Sequence, residues 1–236
     1  LCKVLDQLAK DLIGKVAAVG KLDHLGAPFG AGGDDLLGDL EVAVDGYIVD
    51  VVRDDLLIEI QTGNFSSIKA KVRTLAAAHR LLLVYPVAKQ TWLVKAPKPG
   101  DAEGEPTRRK SPKRGTALAL FQELVSFPEL LARPNFSIEV AFTYEDQLRH
   151  YDKRRGWRRH GWVIDDRVLL DVVEMQRFDE PQDLAVFLPE TLPEAFTTKD
   201  LARALGRNRR FAQRMAYCLR EMGVISIVGR KGGRYL

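Results

Sequence analysis

The 236-residue chain has two cysteines, Cys2 and Cys218, and three methionines. Two cysteines are too few for a disulfide framework, so the fold has to rest on its own core. No apolar run reaches the ~18 residues needed for a membrane span. The first residues also lack the basic start, apolar stretch and small-residue cleavage site of a secretory signal. Together these absences lead us to expect a cytoplasmic protein. There is no phosphate-binding loop and no dinucleotide fingerprint. A Gly30–Gly33 stretch lacks the strand-then-helix context that a phosphate loop needs. The four histidines, His24, His79, His150 and His160, are scattered without metal-ligand spacing. What remains, 46% hydrophobic and 29% charged, is enough for one or two domains with a sizeable core and excludes a disordered chain.

The net charge is +4, and it is unevenly placed. Residues 1–96 carry 11 Lys/Arg and 12 Asp/Glu, residues 97–196 carry 15 and 18, and residues 197–236 carry 10 and 2. A basic C-terminal segment with helical patterning suggests a polyanion partner, most often nucleic acid.

Apolar residues at Val4, Leu5, Leu8, Leu12, Ile13, Val16 and Ala17 predict a helix over residues 2–19. Three β-rich runs follow, Leu40–Val44, Tyr47–Arg53 and Leu56–Thr62, separated by Asp45-Gly46 and Asp54-Asp55. Residues 65–79 read as a helix capped by Asn64 or Ser66. Leu81–Val87 and Thr91–Ala96 read as two further strands. Residues 97–115, rich in Pro, Gly and charge, read as an exposed linker. Residues 116–131 are expected to be helical. Phe136–Phe142 and Arg167–Val173 read as strands, and Asp165-Asp166 as a hairpin turn before an edge strand. The basic, aromatic-laced stretch 153–162 lies between them. Its Arg154, Arg155, Arg158 and Arg159 could track a phosphate backbone while Trp157 and Trp162 stack on bases, or the tryptophans could be core. The expected divisions are residues 1–96, a linker and middle α+β segment at 97–182, and a C-terminal module at 183–236.

In that module Thr197-Thr198-Lys199-Asp200 has the form of a capping box. It leads a short helix, a turn at Gly206-Arg207-Asn208 and a second helix, Arg209 to Met222, with Phe211, Met215, Leu219 and Met222 on one face. Val224–Val228 reads as a strand, Gly229–Gly233 as a turn and Arg234–Leu236 as a return strand. This order is the pattern of a winged helix-turn-helix, which lays its second helix in the major groove. The candidate DNA contacts are Arg207, Asn208, Arg209, Arg210, Gln213 and Arg214, with Arg230 and Lys231 on the wing. Cys218 falls on the buried side of that helix.

The three N-terminal strands allow a register calculation. With two-residue loops, Val44 faces Tyr47 and Arg53 faces Leu56. Glu41 then lies opposite Asp50, and Asp50 opposite Glu59, while Gln61 shares their face. The other face, from Val42 to Ile60, is wholly apolar. Like charges facing one another destabilise a sheet, and a divalent cation would remove that penalty. Hard oxygen ligands suit Mg²⁺ or Mn²⁺.

Helix, three-stranded meander, helix and strand, with Val49-Asp50-Val51-Val52 followed by Leu57-Ile58-Glu59-Ile60-Gln61-Thr62, resembles the core of the PD-(D/E)xK nuclease superfamily. The resemblance covers residues 1–96. It implies a restriction-endonuclease-like α/β fold, a mixed sheet flanked by helices, here followed by the winged-helix domain. It also implies a metal-dependent DNA endonuclease, a magnesium-dependent deoxyribonuclease. Asp50 and Glu59 would hold the metal, Glu41 would add a ligand or orient water, and Gln61 stands where the family has lysine. Lys69 or Lys71, on the next helix, could restore the missing cation, and Asp45 is the alternative acidic ligand. The partner implied is DNA, duplex or branched, with no membrane and with a homodimer left open. Because Gln61 brings no charge, the alternative is a catalytically inactive, nuclease-like DNA-binding regulator or assembly factor.

Overall fold

The computed structural model describes residues 38–101, 104–231 and 234–235, with no side chains beyond Gly229. The expected helix over residues 2–19 lies outside them. Among the described residues no helix is long and apolar enough to cross a membrane. The architecture is mixed α/β. A seven-stranded sheet has the order β1-β2-β3-β4-β6-β7, with β5 paired to β4. The strands are β1 (Asp39–Val44), β2 (Tyr47–Arg53), β3 (Leu56–Ile60), β4 (Arg80–Lys95), β5 (Thr107–Lys110), β6 (Phe136–Tyr151) and β7 (Trp162–Phe178).

The meander has the expected register, with Val44 opposite Tyr47 and Arg53 opposite Leu56. Asp45 and Gly46 both have positive φ, 47° and 81°, which a two-residue turn of the twist-matched kind requires. Helix α1 (Phe65–Ala78) then carries the chain from β3 to β4, which run parallel, so β3-α1-β4 is a crossover unit. Asn64 precedes the helix with φ 54° and makes no side-chain cap. The first helical N–H is taken instead by Glu123 Oε2, 3.1 Å from Phe65 N. Phe65, Val72, Leu75 and Ala76 are buried at helical spacing. At the far end Asn135 Nδ2 donates to the carbonyls of Ala76 (2.9 Å) and His79 (2.6 Å), which the helix leaves without internal donors.

Several element boundaries differ from expectation. The runs 81–87 and 91–96 form one 16-residue strand, because Ala88, Lys89 and Gln90 continue the ladder. The supposed linker contains β5, antiparallel to β4 with Leu93 opposite Arg109. Its basic side chains suit an edge strand exposed to water. Residues 117–132 make a short helix α2 (Leu120–Glu123) between 3₁₀ turns, broken at Phe127 ahead of Pro128. β6 and β7 are twice as long as expected. Asp165 and Asp166 lie inside β7 rather than in a turn, although β7 is an edge strand. The turn between β6 and β7 is the basic 152–161 loop.

The chain forms two compact units, and β4, β6 and β7 each give one stretch to both. The first contains residues 39–85, 117–140 and 176–236. Its core is aromatic. Phe65 stacks on Phe127 (centroids 5.5 Å) and meets Tyr85 edge-on (5.3 Å), Phe127 meets Phe136, and Phe187 touches both Phe121 and Phe178. Helices α3 (Thr198–Ala204) and α4 (Arg209–Glu221) pack together, and α4 lies on the 117–132 segment. The described part of the second unit contains residues 86–116 and 141–175. There β4 and β6 run in the same direction, since Ala96 N–H donates to Arg149 O just as Leu81 N–H donates to Asn135 O in the first unit.

The capping box forms as expected: Asp200 N–H donates to Thr197 Oγ1 (3.3 Å) and Thr197 N–H to Asp200 Oδ2 (3.0 Å). Gly206, at φ 61°, turns the chain into α4, whose Phe211, Met215, Cys218, Leu219 and Met222 are buried. Residues 224–228 are not a strand. The C-terminal pairing is confined to β8 (Arg230–Lys231) and β9 (Arg234–Tyr235). Val224 N–H and Ile225 N–H instead bond back to Leu219 O, which holds this segment against the end of α4.

Candidate functional site

The strongest chemical feature is a fork in the sheet of the first unit. The β2–β3 ladder runs from Arg53↔Leu56 to Val51↔Ile58 and stops there. At the next position side chains replace main-chain pairing. Asp50 Oδ2 accepts the Ile60 N–H at 2.7 Å, and the Glu59 carboxylate accepts the Asp50 N–H. The far edge of β3 stays bonded to β4, through Glu59↔Leu83, Ile60↔Val84 and Gln61 N–H to Val84 O (2.9 Å). Two carboxylates are thus held side by side where the strands part.

Lys71 completes the fork. It lies on α1 two residues past Lys69, about half a turn on, and its Nζ is 2.5 Å from both Glu59 oxygens. The Glu59 side chain is 5% exposed and that of Lys71 15%, so this ion pair is nearly excluded from water. Burial and the adjacent Asp50 charge push Glu59 up to about 7, against the pull of Lys71 in the other direction. Lys71 bonds to Glu59, and Asp50 lies close enough for its charge to be felt there.

The other candidates are placed differently. Glu41 is exposed and interrupts β1 with φ 53°, between the pairs Leu40↔Val51 and Val42↔Val49. Its left-handed backbone breaks the alternation that would have aligned it with Asp50. Gln61 turns its amide to the Gly63 carbonyl and shapes the β3–α1 turn. Asp45, in the β1–β2 turn, is hydrogen-bonded at 2.9 Å to His79, which ends α1. Lys69 is half-buried on α1, and the lysine that reaches Glu59 is Lys71. Among the described residues no group of three or more His, Cys, Asp or Glu is gathered as a metal cage. Among the described residues the fork brings together two carboxylates, Asp50 and Glu59, and one lysine, Lys71. The sequence signal that finds Lys71 is helical spacing: Lys71 directly precedes the buried Val72 and so flanks the face that α1 turns to the sheet.

In the C-terminal helices Arg207, Asn208, Arg209, Arg210 and Gln213 are exposed and Arg214 is half-buried. Asn208 caps α4, its side chain accepting the Phe211 N–H at 2.9 Å. Arg207 lies 5.8 Å from the Phe211 ring centroid. Arg209 and Gln213 line a groove of about 720 Å³ between α4 and residues 224–228. Arg230 and Lys231 are placed by backbone alone, in β8. Cys218 is buried, which pushes its thiol up to about 12 and leaves it inert at neutral pH.

An uncharacterised protein of Treponema pallidum (strain Nichols) is 30% identical over 194 residues, covering 81% of this chain and 75% of its own length. No solved structure matches the chain. Residues 34–179, which include the meander, the fork and all of β4 to β7, match a family described as Domain of unknown function (DUF8091). With well over half its length matched, the chain belongs to that family.

Proposed function

We propose that the protein is a metal-dependent deoxyribonuclease of the PD-(D/E)xK kind, built on the fork of Asp50, Glu59 and Lys71. The observation that carries the reading is Lys71 Nζ at 2.5 Å from both Glu59 oxygens. The resemblance lacks a lysine two residues after the glutamate, and the crossover helix supplies an ammonium to the same carboxylate. The strand order β1-β2-β3-β4, with β3 and β4 parallel, is also the order this resemblance implies.

The donor set fits a small hard cation. Mg²⁺ binds through one or two carboxylates and keeps the rest of its shell for water and phosphate oxygens, so a full protein cage is not needed. Asp50 and Glu59 would hold it, because the strand fork sets their carboxylates side by side. When bound, such an ion supplies an activated water and Lewis-acid stabilisation of phosphate charge. The chain's own parts are then distinct. The Asp50–Ile60 hydrogen bond fixes the carboxylate. Lys71, which shares Glu59 in the absence of a cation, has Nζ to offer to a phosphate oxygen. Helices α3 and α4 with the short β8–β9 pair would act as a winged-helix reader, with Arg209, Arg210 and Gln213 toward the duplex.

The second reading is a nuclease-like DNA-binding protein without catalysis. It is favoured by one observation, that Lys71 already occupies both oxygens of Glu59, with no group of three acidic ligands among the described residues. One assay separates the two. Plasmid and branched DNA are incubated with the protein and Mg²⁺ or Mn²⁺, alongside Asp50→Asn, Glu59→Gln and Lys71→Met. The expected result is metal-dependent cleavage that falls to background in all three. Cleavage that persists in Asp50→Asn and Glu59→Gln removes the fork from the chemistry, and salt-sensitive binding without cleavage supports the second reading.

A further inference from the structure

The second unit carries a basic surface that the fork and α4 do not use. Residues 86–116 contain eight Lys/Arg against three Asp/Glu. In the folded unit Arg108 pairs with Asp146, Arg167 with Glu145 and Lys89 with Glu174. Lys95, Lys98, Arg109 and Arg159 make no ion pair with any described carboxylate. Arg149 shares only the neutral oxygen of Gln147. These cations crowd one another. Arg149 lies within the field of Arg159, Arg109 and Arg167, and Lys95 within that of Arg109, Arg149 and Lys98. Burial first, and these like charges next, hold both Lys95 and Arg149 below their ordinary values.

Aromatic rings are interleaved with the cations. Lys95 Nζ is 4.3 Å from the Trp162 ring centroid and Lys98 Nζ 5.1 Å from that of Tyr151, and the two rings meet edge-on at 5.6 Å. Beyond them the β6–β7 loop is tightly built. Asp152 N–H donates to Gly161 O, Gly156 N–H to Asp152 O and Gly161 N–H to Gly156 O, each at 2.8 Å. Asp152 Oδ1 also takes the N–H groups of Arg154 and Arg155. A Cβ on Gly161, at φ +85°, would lie 2.4 Å from the Tyr151 ring, so only glycine lets the loop close on it. This fixed loop presents Trp157 69% exposed, with the Arg158 guanidinium 4.8 Å from its ring centroid.

An indole held in water beside uncompensated cations is the arrangement that takes an unpaired base on its face and the adjoining phosphates on its flanks. A duplex keeps its bases inside and cannot use the indole in this way. The geometry points to a site for single-stranded nucleic acid on this unit, with Trp157 as the base platform and Lys95, Lys98, Arg109, Arg149 and Arg159 along the backbone. The site is separate from the metal chemistry proposed for the fork, so it can be tested without it.

The test uses the whole protein in EDTA, with fluorescein-labelled dT₂₀, U₂₀ and a 20-base-pair duplex, followed by anisotropy at several salt concentrations. The dT₂₀ and U₂₀ arms separate DNA from RNA. Trp157→Ala is expected to weaken single-strand binding about tenfold, within the range for one stacked base, and Trp157→Phe to restore most of it. Lys98→Glu with Arg109→Glu is expected to weaken it further and to reduce the salt slope by about 1.4, at ~0.7 per phosphate contact. Lys113→Glu, exposed on the same unit but outside the cluster, is expected to stay within about twofold of wild type. Affinity within twofold of wild type in both Trp157→Ala and the double variant overturns the site. So does a Lys113→Glu loss equal to that of the double variant, or capture of phosphatidylserine vesicles without dT₂₀. Single-strand binding in EDTA by a protein that never cleaves would refute the nuclease and leave this site standing.

Discussion

Removing the Lys71 ammonium should destabilise the protein by an amount that grows with pH. In the wild type, burial and Asp50 hold Glu59 at about 7 although Lys71 touches both its oxygens. Without Lys71, both effects that raise the value remain and the main one that lowers it is gone, so Glu59 becomes a neutral acid well above neutrality. The stabilisation lost is therefore what wild type gains by ionising Glu59. At pH 6 that gain is close to zero. At pH 7, where the carboxyl is half ionised, it is well below about 1 kcal/mol, and at pH 9, two units above the folded value, it is about 3 kcal/mol. Lys71→Met, which keeps the aliphatic stem that lies along the helix, should therefore cost under about 1 kcal/mol at pH 6 and about 3 kcal/mol at pH 9. Urea unfolding at pH 6, 7, 8 and 9 measures this directly. A cost that is the same at pH 6 and pH 9 would refute the reasoning, because the lysine would then act through packing and not through the carboxylate.

Three further outcomes follow from the same geometry and from the core. The folded value of Glu59 exceeds its ordinary 4.5, so the native state holds the extra proton between about 4.5 and 7. That contribution is complete below 4.5 and is lost as pH rises through 7, up to about 3 kcal/mol. Glu59→Gln should flatten this part of the stability profile, and Mg²⁺ added to the wild type at pH 7 should release about half a proton per site, readable by calorimetry in two buffers. Phe127→Ala should cost about 3–5 kcal/mol in urea unfolding, since the ring is fully buried between Phe65 and Phe136 and lies beside a chain break at Pro128 that limits relaxation.

The meander was legible in the sequence because alternation has period two. A one-residue slip in either hairpin would have buried a carboxylate, so the pattern admits one register, and Val44↔Tyr47 and Arg53↔Leu56 are the pairs formed. The C-terminal helices were legible because the capping box, Gly206 and the Phe211–Met222 stripe are local signals that agree with one another. What alternation does not carry is backbone detail. Glu41 sits at the aligned position in number, yet its positive φ takes it out of the ladder. The Val224–Val228 run has strand composition, but its first N–H groups find Leu219 O before any strand partner. Strand ends in the second unit were missed for the opposite reason. Lys89, Gln90 and Asp165 look like breaks in an apolar pattern, and they lie inside long strands because polar partners such as Glu174 and His150 meet them there.

The charge distribution shows the same gap between composition and fold. Counted along the sequence, residues 97–196 have net negative charge, which hides the basic run at 108–114 and the loop at 153–159 behind acidic residues elsewhere. Folding sorts these charges by strand pairing. Glu145, Asp146 and Glu174 are each taken by a specific Arg or Lys, whereas β5 brings Arg109 opposite Leu93 on β4, within the field of Lys95 and with no ion pair to any described carboxylate. A cluster left unpaired by pairing its neighbours is a stronger indicator of a ligand than a net excess, because the fold had acids available and placed them elsewhere. By that criterion the second unit has as good a claim to a nucleic-acid strand as the basic C-terminal helices. If both proposals hold, the protein should cleave DNA in which paired and unpaired segments meet in preference to plain duplex. Branched DNA with a 3′ or 5′ flap, compared with plain duplex of equal length, is the substrate pair on which that preference should appear. Equal cleavage of the two would separate the platform from catalysis.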